Sequence, residues 1–266
     1  VGRMVAQRIA GAGRPQRLLA RTVAKAPELP GAGVLPFSYD DRGASTAALD
    51  GVTTLFMVSA AENEHRLDQH KAFIDSAVAA GVRHIVYTSF FGAAPDCVFT
   101  LGRDHYATEE YIKATGLAFT FLRDNFYLDF IKDLMGDDRV IRGPAGNGRV
   151  AGVARSDVAK VAATILLDAG SHTNTTYNLT GPEAITLADA AEMLSTATGT
   201  RVTFHNETVE EAYASRAKWG APDWQNDAWV STYTAIASGE LAAVSPDVET
   251  LTGHRPLSLV EVLARG

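Results

Sequence analysis

The sequence predicts an α/β protein: a doubly wound, parallel Rossmann sheet followed by a smaller, mostly helical C-terminal lobe. Three observations carry that reading. The runs TTLFMVSA (Thr53–Ala60) and RHIVYTS (Arg83–Ser89) are short, apolar and rich in β-formers, as in strands buried on both faces. Helix-length segments stand between and after them, which is the rhythm of βαβ units rather than of hairpins. The chain opens on VGRMVAQRIAGAG, where Val1, Met4, Val5 and Ile9 share one side of a helix with no capping residue before it. The expectation is that the fold's first strand and glycine loop are absent from the chain as it stands, and would belong ahead of Val1.

After the opening helix, RLLAR (Arg17–Arg21) and GVLPFSYD (Gly33–Asp40) are strand candidates, with Pro36 marking an edge or the end of pairing. Thr53–Ala60 follows as a buried strand, then a helix over Asn63–Ala80 stopped by Gly81. Arg83–Ser89 is the next strand, and a loop runs to about Thr100. Leu101–Thr115 reads as a helix closed by Gly116, a residue suited to a helix C-terminus, and LAFTFLRDN (Leu117–Asn125) as a strand. Past Asn125 the rhythm loosens. GPAGNGR (Gly143–Arg149) is a turn-rich hairpin or loop, and Arg155–Gly170 an amphipathic helix. YNLTG (Tyr177–Gly181) is a strand candidate. Thr186 caps the helix LADAAEMLSTATG, with Asp189 three residues on as an acidic capping box. RVTFHN is a further strand before three helical stretches. The division expected is 1–125 for dinucleotide binding, with a strand near 176–180 as a candidate to join that sheet, and 126–266 for substrate.

Composition excludes several classes. A formal charge of -7 without a basic run argues against nucleic acid as partner. No apolar run approaches the roughly 18 residues of a membrane span. Gly2, Arg3, Gln7 and Arg8 interrupt any secretory signal. The single cysteine, Cys97, fits a reducing cytoplasm, and its neighbours offer it no base. His65 and His70 lack a third ligand nearby, so no metal is expected.

In a doubly wound sheet, ligands bind outside the carboxyl ends of the strands. Arg21 ends the first visible strand, where a dinucleotide site places an acid for NAD or a base for the 2′-phosphate of NADP. An arginine fork suits phosphate, so NADPH is expected over NADH. The small residues Ser59, Ala60 and Ala61 let a cofactor lie close to the next strand end. Thr88 and Ser89, then Arg123, Asp124 and Asn125, end the following two strands. Phe90, Phe91, Phe126 and Tyr127 are aromatics suited to stacking on a flat acceptor. No tyrosine here has a lysine four residues later, so the usual acid of alcohol–ketone chemistry is missing. Hydride delivery to an electron-poor quinone or a cationic dye carbon needs that acid less. His105 is the candidate catalytic proton donor in its place.

AGVRHIVYTSFF, HYATEEYI, AFTFLRDNFYLDF, GPAGNGRVAGVARSDVA and YNLTGPEAITLADAAEMLS, in that order, span nearly the whole chain. In these stretches it resembles the NmrA-like branch of atypical short-chain dehydrogenases, particularly the bacterial NAD(P)H:quinone oxidoreductase type 2 and triphenylmethane dye reductase group. The resemblance implies NADP(H) contacts at Gly2 (the last glycine of the phosphate loop), Arg21, Ser59–Ala61 and Arg123–Tyr127. Phe90, His105 and Tyr127 are then the substrate side. The group often carries Asn after the strand-end arginine, where this chain has Asp124. The implied function is hydride transfer from NADPH to a quinone or similar flat acceptor, by a cytoplasmic monomer or homodimer. The alternative is a non-catalytic NADP(H)-binding redox sensor with a protein partner, like the regulator that names the branch.

Overall fold

The computed structural model describes residues 1–39 and 41–265. Its elements run in the order α1 (Gly2–Gly11), β1 (Gln16–Ala20), β2 (Ala32–Pro36), α2 (Arg42–Ala48), β3 (Thr54–Met57), α3 (Arg66–Ala79), β4 (His84–Phe90), α4 (Thr100–Ala114) and β5 (Ala118–Asp124). They continue with β6 (Val140–Gly143), β7 (Arg149–Val150), α5 (Arg155–Leu167), β8 (Thr175–Leu179), β9 (Ile185–Thr186), α6 (Leu187–Thr198) and β10 (Thr203–Asn206). Four helices close the chain: α7 (Val209–Arg216), α8 (Asp223–Ser238), α9 (Asp247–Thr252) and α10 (Leu259–Leu263).

The chain forms two compact units that interleave along the sequence. The first holds Val1–Ser89, Tyr106–Leu122 and Val158–Tyr177. The second holds Phe90–His105, Arg123–Asp157 and Asn178 onward.

The first unit is the α/β Rossmann-like body the sequence predicts. A four-stranded sheet has the order β3-β4-β5-β8, with β3 and β4 parallel from Thr54 opposite His84 to Met57 opposite Tyr87. β1 and β2 form a separate parallel pair, Gln16 opposite Ala32. Among the described residues no ladder joins β1 to β3. β4 is buried along nearly its whole length, which explains the apolar run Ile85–Tyr87 at its centre. α3 offers Phe73, Ile74 and Ala77 to a core shared with Leu55, Ile85, Tyr87, Ile112 and Phe121. Each such large side chain contributes about 1.5–3 kcal/mol on burial. On α1 the buried face is Val5, Ala6 and Ile9, while Met4 is exposed, so the apolar side sits slightly round from the predicted stripe.

Two regions depart from the sequence reading in the first unit. The strand expected over Gly33–Asp40 ends at Pro36, and Asp40 lies outside the described residues. The short helix α2, capped by Asp41 through the Ala44 N–H, was not foreseen because it lacks an apolar period.

The second unit has its own core of Leu128, Ile131, Ile141, Val150, Leu187, Leu194 and Ile236. GPAGNGR is the turn-rich loop of the two alternatives and not a hairpin: β6 pairs in parallel with β10, and β7 pairs antiparallel with β9. Gly146 serves the turn with φ at 54°, and two other glycines answer to packing. A side chain at Gly143 would strike the Tyr233 ring, and one at Gly148 the backbone of Ile236, both on α8. The Thr186 cap holds as predicted, its hydroxyl accepting from Asp189 N–H at 3.0 Å while the Asp189 carboxylate accepts from Thr186 N–H at 2.9 Å. Four helices follow β10 rather than three. No helix among the described residues is long and apolar enough to cross a membrane.

Candidate functional site

The first unit contains a cavity of about 1010 Å³ between α1, β1 and β3. Its lining brings together Gly2, Arg21, Ser59, Ala60 and Ala61, which the sequence places far apart. Arg21 and Lys25 are exposed there, and the lining also holds Arg3, Arg14 and Arg17, which the sequence does not single out. Arg3 donates to the Lys25 carbonyl at 2.8 Å, which ties the start of α1 to the loop after β1. Arg3, Arg21 and Lys25 suit a ligand with several anionic groups. The sequence signal for Arg3 is weak, because only proximity in space joins it to Arg21 and Lys25. At Gly2 a Cβ would meet the Val58 side chain at 3.5 Å, an ordinary contact, so no crowding within the protein demands glycine there.

The loop after β3 is held from beneath by Thr88, His70 and Arg66. Ser59 N–H donates to Thr88 Oγ1 at 2.8 Å. Ala60 N–H donates to His70 Nε2 at 2.8 Å, and Arg66 Nε donates to the Ala60 carbonyl at 3.0 Å. Because Nε2 accepts, the neutral ring carries its proton on Nδ1 and gives it to Thr108 Oγ1 at 2.9 Å. Burial, with the Arg66 charge adding to it, pushes the His70 pKa down to about 3. Tyr39 braces the other side by donating to the Val58 carbonyl at 2.8 Å, its hydroxyl pushed up to about 12 by burial. Thr88 is thus a support for the loop. Ser89 is buried and donates to the buried Glu109 carboxylate at 2.5 Å, away from the cavity lining.

The remaining predicted residues fall in the second unit. Phe90 packs on Phe99 with ring centres 4.7 Å apart and on His105 at 6.0 Å, and His105 is buried. Phe91 donates its N–H to the Asp124 carbonyl at 2.9 Å. Asn125 is fully committed to the backbone: its N–H reaches the Leu179 carbonyl, its Nδ2 the Leu241 carbonyl, and its Oδ1 accepts from Phe126 N–H. Phe126 and Val153 are joined backbone to backbone at 2.9 Å, beside a bridge between Tyr127 and Val153. Arg123 is half-buried at the end of β5.

Asp124 is the unusual member. It is 2 % exposed, and its Oδ2 accepts from the Tyr127 hydroxyl at 2.7 Å. Its other oxygen, Oδ1, is buried without a partner. Burial pushes its pKa up to about 8, against the opposing Tyr127 hydrogen bond. Among the described residues no group of three His, Cys, Asp or Glu side chains is arranged to hold a metal.

The model of a family described as NAD(P)H-binding matches residues 1–169 of the chain. Quinone oxidoreductase 2 of Escherichia coli K12 is 32% identical over 248 residues, which cover 91% of this chain and 86% of that protein. The crystal structure of the Escherichia coli NADPH-dependent quinone oxidoreductase, complexed with NADPH, superposes with a TM-score of 0.89 at 30% identity, covering 99% of this chain and 95% of the other. Citrobacter sp. triphenylmethane reductase complexed with NADP(H) gives a TM-score of 0.85 at 30% identity over 99% and 95% of the two chains.

Proposed function

The chain belongs to the NAD(P)H-binding family, in its NmrA-like branch of atypical short-chain dehydrogenases, and from that premise we propose how its residues divide the work. It binds NADP(H) and acts as an NADPH-dependent reductase of quinones or dyes. When bound, NADPH supplies the hydride.

The carrying observation is the cavity that unites Arg21, Arg3 and Lys25 with the Ser59–Ala61 loop. Its cations suit a dinucleotide with an extra phosphate. We assign the 2′-phosphate to Arg21, whose exposed guanidinium can grip it by two N–H donors. Ser59, Ala60 and Ala61 form the wall against which the cofactor lies. Their backbone is fixed beforehand by His70, Arg66 and Thr88, so little ordering is left to binding. Gly2 is assigned to the pyrophosphate at the start of α1. Thr88 and Ser89 act behind the wall.

The acceptor role goes to residues 126–266 together with Phe90, Phe91 and His105, and the cofactor role to 1–125. Phe90 and Tyr127 offer flat faces to a flat acceptor, and Arg123 to Tyr127 carry the polar contacts at the end of β5. The chemistry runs without a Tyr-x-x-x-Lys pair, with His105 the sequence-derived candidate for proton donor. A monomer or homodimer is the assembly proposed.

The reading is tested by NADPH oxidation against a panel of quinones and cationic dyes. Tight NADPH binding with no turnover on any member would overturn it in favour of a sensor. Arg21→Ala tests the phosphate assignment: NADPH binding should weaken by about 1–3 kcal/mol, with NADH nearly unchanged, by calorimetric titration. Equal losses for both cofactors would sink that assignment.

A further inference from the structure

A carboxyl group so buried raises the question of what it does with its proton. Asp124 stands at the end of β5, the region of a parallel sheet where ligands are handled. One of its oxygens is hydrogen-bonded to the Tyr127 hydroxyl, and the other is buried with no hydrogen-bond partner. An ionised carboxylate with a dry, unpaired oxygen is strongly disfavoured. The group therefore rests as a neutral acid, in keeping with a pKa pushed up to about 8. A neutral Asp124 can hold the 2.7 Å contact from either side. With its own O–H donating to the phenol oxygen, the Tyr127 O–H is released to face another acceptor. Tyr127 is half-buried, so its side chain is reachable where Asp124 is not.

We propose that Tyr127 and Asp124 form a proton-donating dyad for the acceptor, with Tyr127 the catalytic residue and Asp124 the positioning residue that refills it. The inference rests on the reductase reading above. A quinone that takes up hydride becomes a phenol-like oxyanion and needs a proton to become hydroquinone. The Tyr127 O–H bond breaks and the acceptor O–H bond forms. The Asp124 proton passes to the phenolate oxygen, restoring Tyr127 and leaving a carboxylate, which solvent reprotonates. The direction is downhill, since burial and the neighbouring Asp124 hold the Tyr127 phenol well above its ordinary range, and it takes a proton from a buried acid near 8. Electrons balance because the nicotinamide cofactor loses the hydride pair that the quinone gains.

A cationic triphenylmethane dye provides the control. Hydride alone turns it into the neutral colourless form, so no proton is called for. The experiment measures kcat with NADPH for a water-soluble naphthoquinone and for such a dye, in wild type, Asp124→Asn and Tyr127→Phe. The quinone rate should fall by about 10²-fold relative to the dye rate in both variants, the usual worth of a positioned general acid. The wild type should also show a larger solvent deuterium isotope effect with the quinone than with the dye, a comparison that needs no variant to fold. Apart from turnover, infrared spectra of the protein at neutral pH should contain a protonated-carboxyl C=O band that Asp124→Asn removes. Loss of both activities in equal proportion, equal isotope effects, or absence of that band overturns the dyad alone. A wild type that reduces neither acceptor overturns the reductase reading, and the dyad with it.

Discussion

Two buried polar clusters, one behind the end of β3 and one at the end of β5, are built on opposite rules. Around His70 every ring nitrogen has a partner, and the Ala60 peptide is gripped at both its N–H and its carbonyl. At Asp124 one carboxyl oxygen is paired and the other is not. The first arrangement keeps a base from taking up a proton, and the second keeps an acid from losing one. A satisfied network fixes a backbone in place, whereas a half-satisfied one stores a proton for use.

The two clusters should therefore tilt stability with pH in opposite senses. The folded state retains the Asp124 proton up to about pH 8, while the unfolded chain releases it near 3.8. Its contribution is full below pH 3.8 and is lost as pH rises through 8. His70 refuses its proton down to about 3, against 6.5 in the unfolded chain, so its contribution is present above 6.5 and lost as pH falls. Between pH 4 and 6.5 the two slopes oppose each other and largely cancel.

Breaking one side exposes the other. Asp124→Asn should give the largest effect: a difference from wild type that grows by on the order of 5 kcal/mol as pH climbs from 4 to 8, read by chemical denaturation. The same slope in variant and wild type would show that the carboxyl titrates normally. His70→Leu leaves the buried Ala60 N–H without its acceptor. It should cost about 2–4 kcal/mol at neutral pH and remove the acid-side loss. A cost within experimental error would mean that the loop after β3 is held by something else. Tyr127→Phe is the smallest change. It removes the one hydrogen bond that favours the carboxylate, so the Asp124 titration seen in denaturation profiles should move to higher pH. Movement to lower pH would contradict the role given to that contact.

Much of this was legible in the sequence, for identifiable reasons. β4 was readable because a strand buried on both faces carries a largely apolar run, here Ile85–Tyr87. Arg21 and Ser59–Ala61 were readable because strand ends are where a parallel sheet exposes side chains to ligands. His70 was not, since its value comes from the Ala60 peptide ten residues away, which no local pattern announces. Thr88 and Ser89 were correctly placed at a strand end, yet their hydroxyls turn to Ser59 and Glu109. Position alone does not say which way a hydroxyl faces. The GPAGNGR segment was legible as a loop, but not the close packing of Gly143 and Gly148 on α8, since glycine serves packing as readily as it serves a turn.

The double grip on the Ala60 peptide bears on how the body breathes. Its N–H is given to His70 and its carbonyl accepts from Arg66, and all three residues are buried. A buried, hydrogen-bonded amide exchanges with solvent only when the segment around it opens. The Ala60 amide should therefore exchange with solvent deuterium at the slow rate of a core strand, although it lies in a loop beyond the end of β3. The wall proposed for the dinucleotide is then rigid before any ligand arrives.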